Sequence, residues 1–307
     1  MKYFTFAFCL LPFAFRLTSF AVRNLLLQLD SSPHPSVFDR VVAFDGGADE
    51  VMSYGGVTDA AVRDLVHGAI FTRSPKDLHH TAIFIGGTDM AAGERLLAAV
   101  RKAFFGPLRV SVMLDSNGSN TTAVAAVAKL QQAVGDVNGR RAVVTAGTGP
   151  VGVRAAGLLA KAGADVVITS RTSGHGDLIA QIQKRFGGSV GEIAMPDHAH
   201  VAAALDGAEL LLSAGPPSVC LVPRSAWAGR AGLRAVADLN AVPPAGIEGI
   251  EVTDNGAARD DVTAFGALGV GGLKMKIHRA CIARMFERND LVLDAETIAD
   301  VARELTA

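Results

Sequence analysis

Short apolar runs alternate with stretches of helical spacing along most of the chain. Leu25-Leu26-Leu27-Gln28-Leu29 reads as a short buried strand. Residues 36–44 mix apolar and polar positions without a clean period and lead into Asp45-Gly46-Gly47, a turn. Residues 58–67 carry helical spacing, with Thr58 as the N-cap. Residues 81–85 form a second strand, closed by Gly86-Gly87. Residues 89–104 form an amphipathic helix and residues 109–114 a third strand. Strand and helix thus alternate through residues 24–114, as in an open α/β layer.

A second series follows. Residues 121–134 predict an Ala/Val-rich helix ending at Gly135 and bridging two layers. The expected order continues with strand 140–146, helix 150–162, strand 165–171 and helix 177–186. Residues 192–194 make a short strand and 197–205 a helix, and 210–213 and 235–238 are further strands. Residues 266–272 are glycine-rich, 273–286 helical, and 294–305 a final amphipathic helix expected to dock back on the first layer. The pattern predicts an α/β protein: two open parallel-sheet domains with a cleft between them, the second of Rossmann type. The expected division is an extension over 1–23, a first domain over 24–120 with 277–307 packed back on it, and a nucleotide domain over 121–276.

One stretch in the second series carries chemistry. Gly147, Thr148, Gly149, Pro150, Val151 and Gly152 lie between a strand and a helix, with another strand beyond. A lone G-x-G-x-x-G is weak; in that context it predicts a dinucleotide site. Gly147 allows the tight turn, Gly149 lets a pyrophosphate approach the backbone, and Gly152 lets the helix pack closely. The helix N-terminus supplies free N–H groups for phosphates, and Pro150 suits the first helical turn. NAD readers carry Asp or Glu about 20 residues after the first glycine. Here the next strand ends Ile168-Thr169-Ser170-Arg171-Thr172, with no carboxylate. Ser170, Arg171 and Thr172 offer hydroxyls and a guanidinium to a 2′-phosphate, so the expected cofactor is NADP. Ser213, Ala214 and Gly215 follow a strand of this half and are expected near the ribose or nicotinamide, with Asp238 and Asn240 similarly placed one strand on.

Composition narrows the classes. The chain has 307 residues, enough for two ordinary domains. Lys plus Arg number 29 and Asp plus Glu 30, which argues against a nucleic-acid footprint. Cys9, Cys220 and Cys281 are too far apart for a metal spacing or a disulfide framework, so no metal is expected and a reducing compartment is the default. Residues 3–15 are almost wholly apolar between Lys2 and Arg16. That run is too short to span a bilayer, which needs about 20 residues, so no membrane partner is expected. Its length fits a signal-peptide core, with Ser19-Phe20-Ala21 behind it. A cytoplasmic protein with a dispensable extension is the default, and the secreted reading stands beside it. His79-His80 and His198-x-His200 lack the pairing of a helix-borne zinc site and read as surface residues.

Several stretches together resemble one family. They are Pro35 to Asp39, Asp45 to Asp49, Ile85-Gly86-Gly87-Thr88-Asp89-Met90-Ala91-Ala92-Gly93-Glu94, Asp115-Ser116-Asn117-Gly118-Ser119-Asn120-Thr121-Thr122, the glycine loop, and Phe265-Gly266-Ala267-Leu268-Gly269-Val270-Gly271-Gly272-Leu273-Lys274-Met275-Lys276. From residue 24 on, the chain resembles the NADP-dependent methylene-tetrahydromethanopterin dehydrogenases of methylotrophic bacteria. The resemblance implies hydride transfer from methylene-tetrahydromethanopterin, or methylene-tetrahydrofolate, to NADP, giving the methenyl form. It implies a homo-oligomer and a first domain that binds the pterin carrier. It places Lys274 beside the meeting point of nicotinamide and pterin, as the expected catalytic residue. Asp115, Asn117 and Asn120 could hydrogen-bond the pterin or simply cap a turn. Asp39 and Asp45, on early loops, could face the cleft or serve as caps. A shikimate-type dehydrogenase is one rival; it needs a Lys–Asp proton-transfer pair, which the sequence does not identify. A non-enzymatic NADP-binding sensor is the other; it gives no reason for the segments around Asp115 and Lys274.

Overall fold

The computed structural model describes residues 22–306; the apolar segment over 3–15 and Cys9 lie outside them. The first half runs β1 Leu25–Asp30, α1 Val37–Asp45, β2 Glu50–Tyr54, α2 Asp59–Ile70, β3 Thr81–Gly86, α3 Met90–Ala103, β4 Ser111–Leu114 and α4 Ser119–Val134. Its strands make one parallel sheet in the order β4-β3-β1-β2. Every residue of β3 and β4 is buried, as expected for parallel strands covered on both faces.

The second half runs β5 Arg141–Thr145, α5 Pro150–Lys161, β6 Asp165–Ser170, α6 Gly176–Phe186, β7 Ser189–Ala194, α7 Val201–Ala204, β8 Leu210–Ser213, α8 Arg224–Trp227, β9 Ala235–Asp238, β10 Asn255–Arg259, β11 Val262–Phe265 and α9 Ala267–Met285. The sheet order is β10-β11-β9-β8-β5-β6-β7, parallel except for β10. This is the doubly wound arrangement, with its switch point between β5 and β8. The chain closes with β12 Val292–Leu293, which pairs with β4 on the first sheet, and α10 Ala295–Thr306.

The two sheets share one core. Leu26, Phe84 and Met113 from the first sheet and Val144, Ile168 and Leu212 from the second belong to a single apolar cluster. Val124 and Leu130 of α4, Ile277 and Met285 of α9, and Ile298 of α10 fill the space between them. No helix among the described residues is long and apolar enough to cross a membrane.

The structure corrects two expectations, over 37–45 and 266–272, and adds two elements, over 50–54 and 255–265. Residues 37–45 are helical, because Ser36 caps the turn by accepting from the Asp39 N–H. The exposed Val37, Val41 and Phe44 hide the amphipathic period. Residues 50–54 form an edge strand. Residues 255–265 form a hairpin around Asp260-Asp261, both with positive φ (43° and 68°), as the tightest hairpin loops require. The glycine-rich segment is helical: α9 starts at Ala267, six residues before the expected start.

Candidate active site

The carboxyl ends of β1, β3 and β4 build one side of the site. Asp30 ends β1 and is buried; its carboxylate accepts from the N–H groups of Ser32 (2.7 Å) and Ser36 (3.1 Å). It thereby fixes the start of α1, which carries Phe38 and Asp39. The Oδ2 of Asp39 lies 3.5 Å from the point where a Cβ on Gly86 would stand, so the carboxyl reaches the end of β3. At the end of β4, Asp115 is fully buried and accepts from the N–H groups of Asn120 and Thr121 (2.9 Å each) and the Thr121 hydroxyl (2.6 Å). Its carboxylate thus binds the first turn of α4.

Lys274 enters from α9. Its ammonium lies 4.3 Å from the centre of the Phe38 ring and 3.5 Å from where a Cβ on Gly118 would stand. Gly271 and Gly272, just upstream on α9, have nothing within 4 Å of an added Cβ and border open space. Burial pushes the Asp39 carboxyl up to about 6, and the Asp30 charge adds to the rise; the Ser36 hydrogen bond and the Lys274 charge oppose it. Burial pushes Asp115 up to about 6 as well, against the pull of Lys274 and Thr121. The fold therefore gathers Lys274, Asp39 and Asp115, a lysine–aspartate grouping not identified from the sequence. Lys274 makes no ion pair among the described residues; it acts on both carboxyls through its field. His278, one turn along α9, is fully buried, stacks on Phe84 at 5.4 Å and has neither ring nitrogen hydrogen-bonded. Burial, then the Lys274 charge, push its pKa down to about 3, so it is neutral packing.

The glycine loop follows the carboxyl end of β5 in the second sheet. A Cβ on Gly147 would stand 2.5 Å from the Ile168 Cβ, and one on Gly152 would stand 2.7 Å from the Gly147 Cα. Gly149 meets only the Ala146 carbonyl at 3.5 Å, leaving its face open. The left-handed residue of the turn is Ala146 (φ 52°). Gly147 is needed for contact with β6 rather than for its φ, which refines the turn role expected of it. Thr148 and Val151 are half-buried and Pro150 is exposed at the start of α5. Ser170 ends β6 half-buried, with Arg171 and Thr172 exposed beyond it. Ser213 is buried at the end of β8, and Ala214 and Gly215 follow half-buried. A dinucleotide fits this set: an open glycine face, a helix N-terminus and a strand end rich in donors.

Several expected residues play supporting parts instead. The Asn120 amide donates to the Leu114 carbonyl and to Asp294 Oδ1 (3.1 Å) and accepts from Arg154 Nε, so it has no polar atom left for a ligand. Asp238 accepts from the N–H groups of Asn240 and Ile247, and the Asn240 amide ties to Pro244 and Val242; both shape the loop after β9. Asp45 is exposed at the far end of α1, 3.9 Å from Arg279, away from the strand ends. It is a helix-end residue and not a cleft residue. Asn117 is exposed at φ 55°, where its backbone N–H reaches the Gly87 carbonyl (2.6 Å).

Sequence reading missed Arg154. Only 4% exposed, it donates to Glu94 of α3 (2.7 Å), to Asn120 of α4 and to the Pro150 carbonyl (3.0 Å). One guanidinium therefore joins the loop after β4 to the turn that opens α5. Arg185 of α6 extends the link to Asp294 (2.7 Å) and Glu296 (2.8 Å). An arginine within an alanine-rich helical run was the available signal.

Comparisons with known proteins place the chain in a family. A family model described as methylene-tetrahydromethanopterin dehydrogenase, N-terminal, matches residues 37–117. The bifunctional protein MdtA of Methylorubrum extorquens is 51% identical over 285 residues, covering 92% of this chain and 99% of the relative. The NAD(P)-dependent methylenetetrahydromethanopterin dehydrogenase of the same organism is 32% identical over 295 residues, with the same coverages. The chain belongs to the methylene-tetrahydromethanopterin dehydrogenase family. Among solved structures, shikimate 5-dehydrogenase from Listeria monocytogenes superposes with a TM-score of 0.51 at 12% identity, covering 93% of this chain and 96% of that one. At that identity the likeness speaks for the two-domain fold alone.

Proposed function

We propose that this enzyme dehydrogenates methylene-tetrahydromethanopterin with NADP, in the crevice between Lys274 and the glycine loop. The observation that carries the reading is the Lys274 ammonium, held on Phe38 beside Asp39 and Asp115 in a chain of this family. Dehydrogenation of the methylene carrier with a nicotinamide cofactor follows from the family. The choice of NADP rests on Ser170, Arg171 and Thr172 and on the missing carboxylate at the end of β6. The unit over 24–120, with 277–307 against it, would hold the pterin, and 121–276 the cofactor.

The nicotinamide, when bound, supplies the hydride acceptor. The chain's own task is alignment. Gly147, Gly149 and Gly152 open the loop for the pyrophosphate, and Ser213, Ala214 and Gly215 border the same strand ends. On the pterin side, Asp39 offers an acceptor and Lys274 a donor to the polar edge of the ring, and the free face of Phe38, half-exposed, offers a stacking surface. Asp115 holds the loop carrying Asn117 and Gly118 in place. No general acid or base is needed, because the methenyl product shares its charge between two nitrogens. Arg154 keeps the two loops in register.

The same reaction on methylene-tetrahydrofolate is the second outcome that the assay separates. A homo-oligomer is supported by the outward apolar stripe of α1, where Val37, Val41 and Phe44 are 76%, 53% and 43% exposed. The test is reduction of NADP and of NAD by the purified protein with each methylene carrier. Reduction of NADP at a higher kcat/KM than NAD is expected. Absence of reduction with either carrier overturns the activity, and equal use of both cofactors overturns the NADP assignment alone.

A further inference from the structure

We propose that His175 completes the 2′-phosphate pocket and acts with Arg171 as a cofactor-specificity residue. The proposal rests on the NADP reading above.

The residues that follow β6 close back on the strand end. The Ser170 hydroxyl donates to the Thr172 carbonyl, and its oxygen lies 2.8 Å from Nε2 of His175. A hydroxyl has one proton to give, so the ring nitrogen is the donor in that second bond. The Nε2–H of His175 therefore points at the end of β6. The Thr172 hydroxyl lies 3.5 Å from the same nitrogen. Ser170, Thr172 and His175 thus converge on one spot, and the exposed Arg171 lies between the first two in the chain.

The ring is held there from behind. Glu192, on the neighbouring strand β7, accepts from the N–H groups of Gly174 (3.0 Å) and His175 (3.1 Å). That carboxylate serves the backbone side of the loop and stabilises the start of α6. It leaves the Nε2 edge turned towards Ser170 and Thr172. Every side chain on that edge can donate: two hydroxyls, a guanidinium and an imidazole N–H. A ribose 2′-hydroxyl is best met by a carboxylate acceptor, and none of these four residues is one. A phosphate monoester accepts from all four. With a phosphate present, the Ser170 hydroxyl turns from the Thr172 carbonyl, and the Nε2–H from the Ser170 oxygen, to the anion.

The sequence pointed only to the first three residues after Ile168-Thr169. His175 lies five residues beyond Ser170 and comes to it only because the loop folds back under the hold of Glu192.

The test is calorimetric, on the intact protein. Adenosine 2′,5′-bisphosphate and adenosine 5′-monophosphate are titrated into wild type, Arg171→Ala, His175→Ala and His175→Gln. Wild type is expected to bind the bisphosphate more tightly. His175→Ala should lower that affinity roughly tenfold or more, the scale of a hydrogen bond to a charged acceptor, and leave the monophosphate unchanged. His175→Gln, which restores a donor, should recover part of the loss. An equal loss for both ligands would make His175 a loop-structure residue and overturn the proposal. Unchanged bisphosphate affinity in His175→Ala, with a loss in Arg171→Ala, overturns the role of His175 and keeps the NADP reading. Equal wild-type affinity for the two ligands overturns both.

Discussion

Arg154→Met is the substitution that most sharply tests how the two halves are joined. Arg154 is 4% exposed and Glu94 49%. Breaking a buried pair costs about 3–5 kcal/mol when the remaining charge stays buried. Here the remaining charge is half in water, so Glu94 rehydrates and most of that cost disappears. The loss that persists falls on Asn120, whose Oδ1 keeps no donor in a buried position, at about 1–3 kcal/mol. The Pro150 carbonyl loses a donor too. Methionine keeps most of the stem volume, so cavity terms are small. The sum is about 2–4 kcal/mol, or a fall in melting temperature of about 3–6 °C for a chain of this size. Glu94→Gln removes the carboxylate and leaves the Arg154 guanidinium, 4% exposed, without its charge partner, which costs about 3–5 kcal/mol where that charge stays buried. Thermal unfolding followed by circular dichroism compares the two variants. An effect of Glu94→Gln below that of Arg154→Met would refute the reasoning, since it is Glu94→Gln that strands a buried charge.

Other consequences follow from the same geometry. Lys274→Gln should cut turnover tenfold or more, about 1.4 kcal/mol in the barrier, while calorimetry shows NADP still bound; unchanged turnover contradicts its placement. Gly147→Ala should destabilise the fold, since its Cβ would stand 2.5 Å from the Ile168 Cβ. Gly149→Ala should keep the wild-type melting temperature and weaken only the dinucleotide, because its Cβ meets nothing closer than 3.5 Å. Asp39 and Asp115 rise from 3.8 to about 6 in the fold. Between about pH 4 and 6 the folded state then binds more protons than the unfolded chain, so these two groups lower stability as pH rises. Asp39→Asn should flatten that decline in denaturant titrations across the window.

What the sequence revealed follows the physics of each element. Buried parallel strands such as residues 81–85 stand out as apolar runs, and the glycine loop stands out because close backbone approach excludes side chains. Residues 37–45 did not read as a helix, because an outward apolar stripe spoils the period and only the Ser36 cap marks the start. The Asp260-Asp261 hairpin lacked the glycine that usually signals such a turn. On the site, Lys274, Asp39 and Asp115 could be named one at a time, but their meeting depends on α9 crossing from the second sheet to the first. Asn120 and Asp238 were legible as polar residues at strand ends, whereas their full internal hydrogen bonding was not. Arg154 and His175 act through contacts 34 and five residues distant in sequence, at Asn120 and Ser170, which no local pattern records.

The central claim is that a pterin-borne carbon meets the nicotinamide between Lys274 and the glycine loop. Isotope transfer tests it most directly. Methylene-tetrahydromethanopterin with both methylene hydrogens replaced by deuterium is incubated with the enzyme and NADP, and the reduced cofactor is examined by NMR. Direct transfer predicts deuterium on one face of the nicotinamide C4, with the label lost in step with turnover in Lys274→Gln. Reduced cofactor without deuterium would contradict the account.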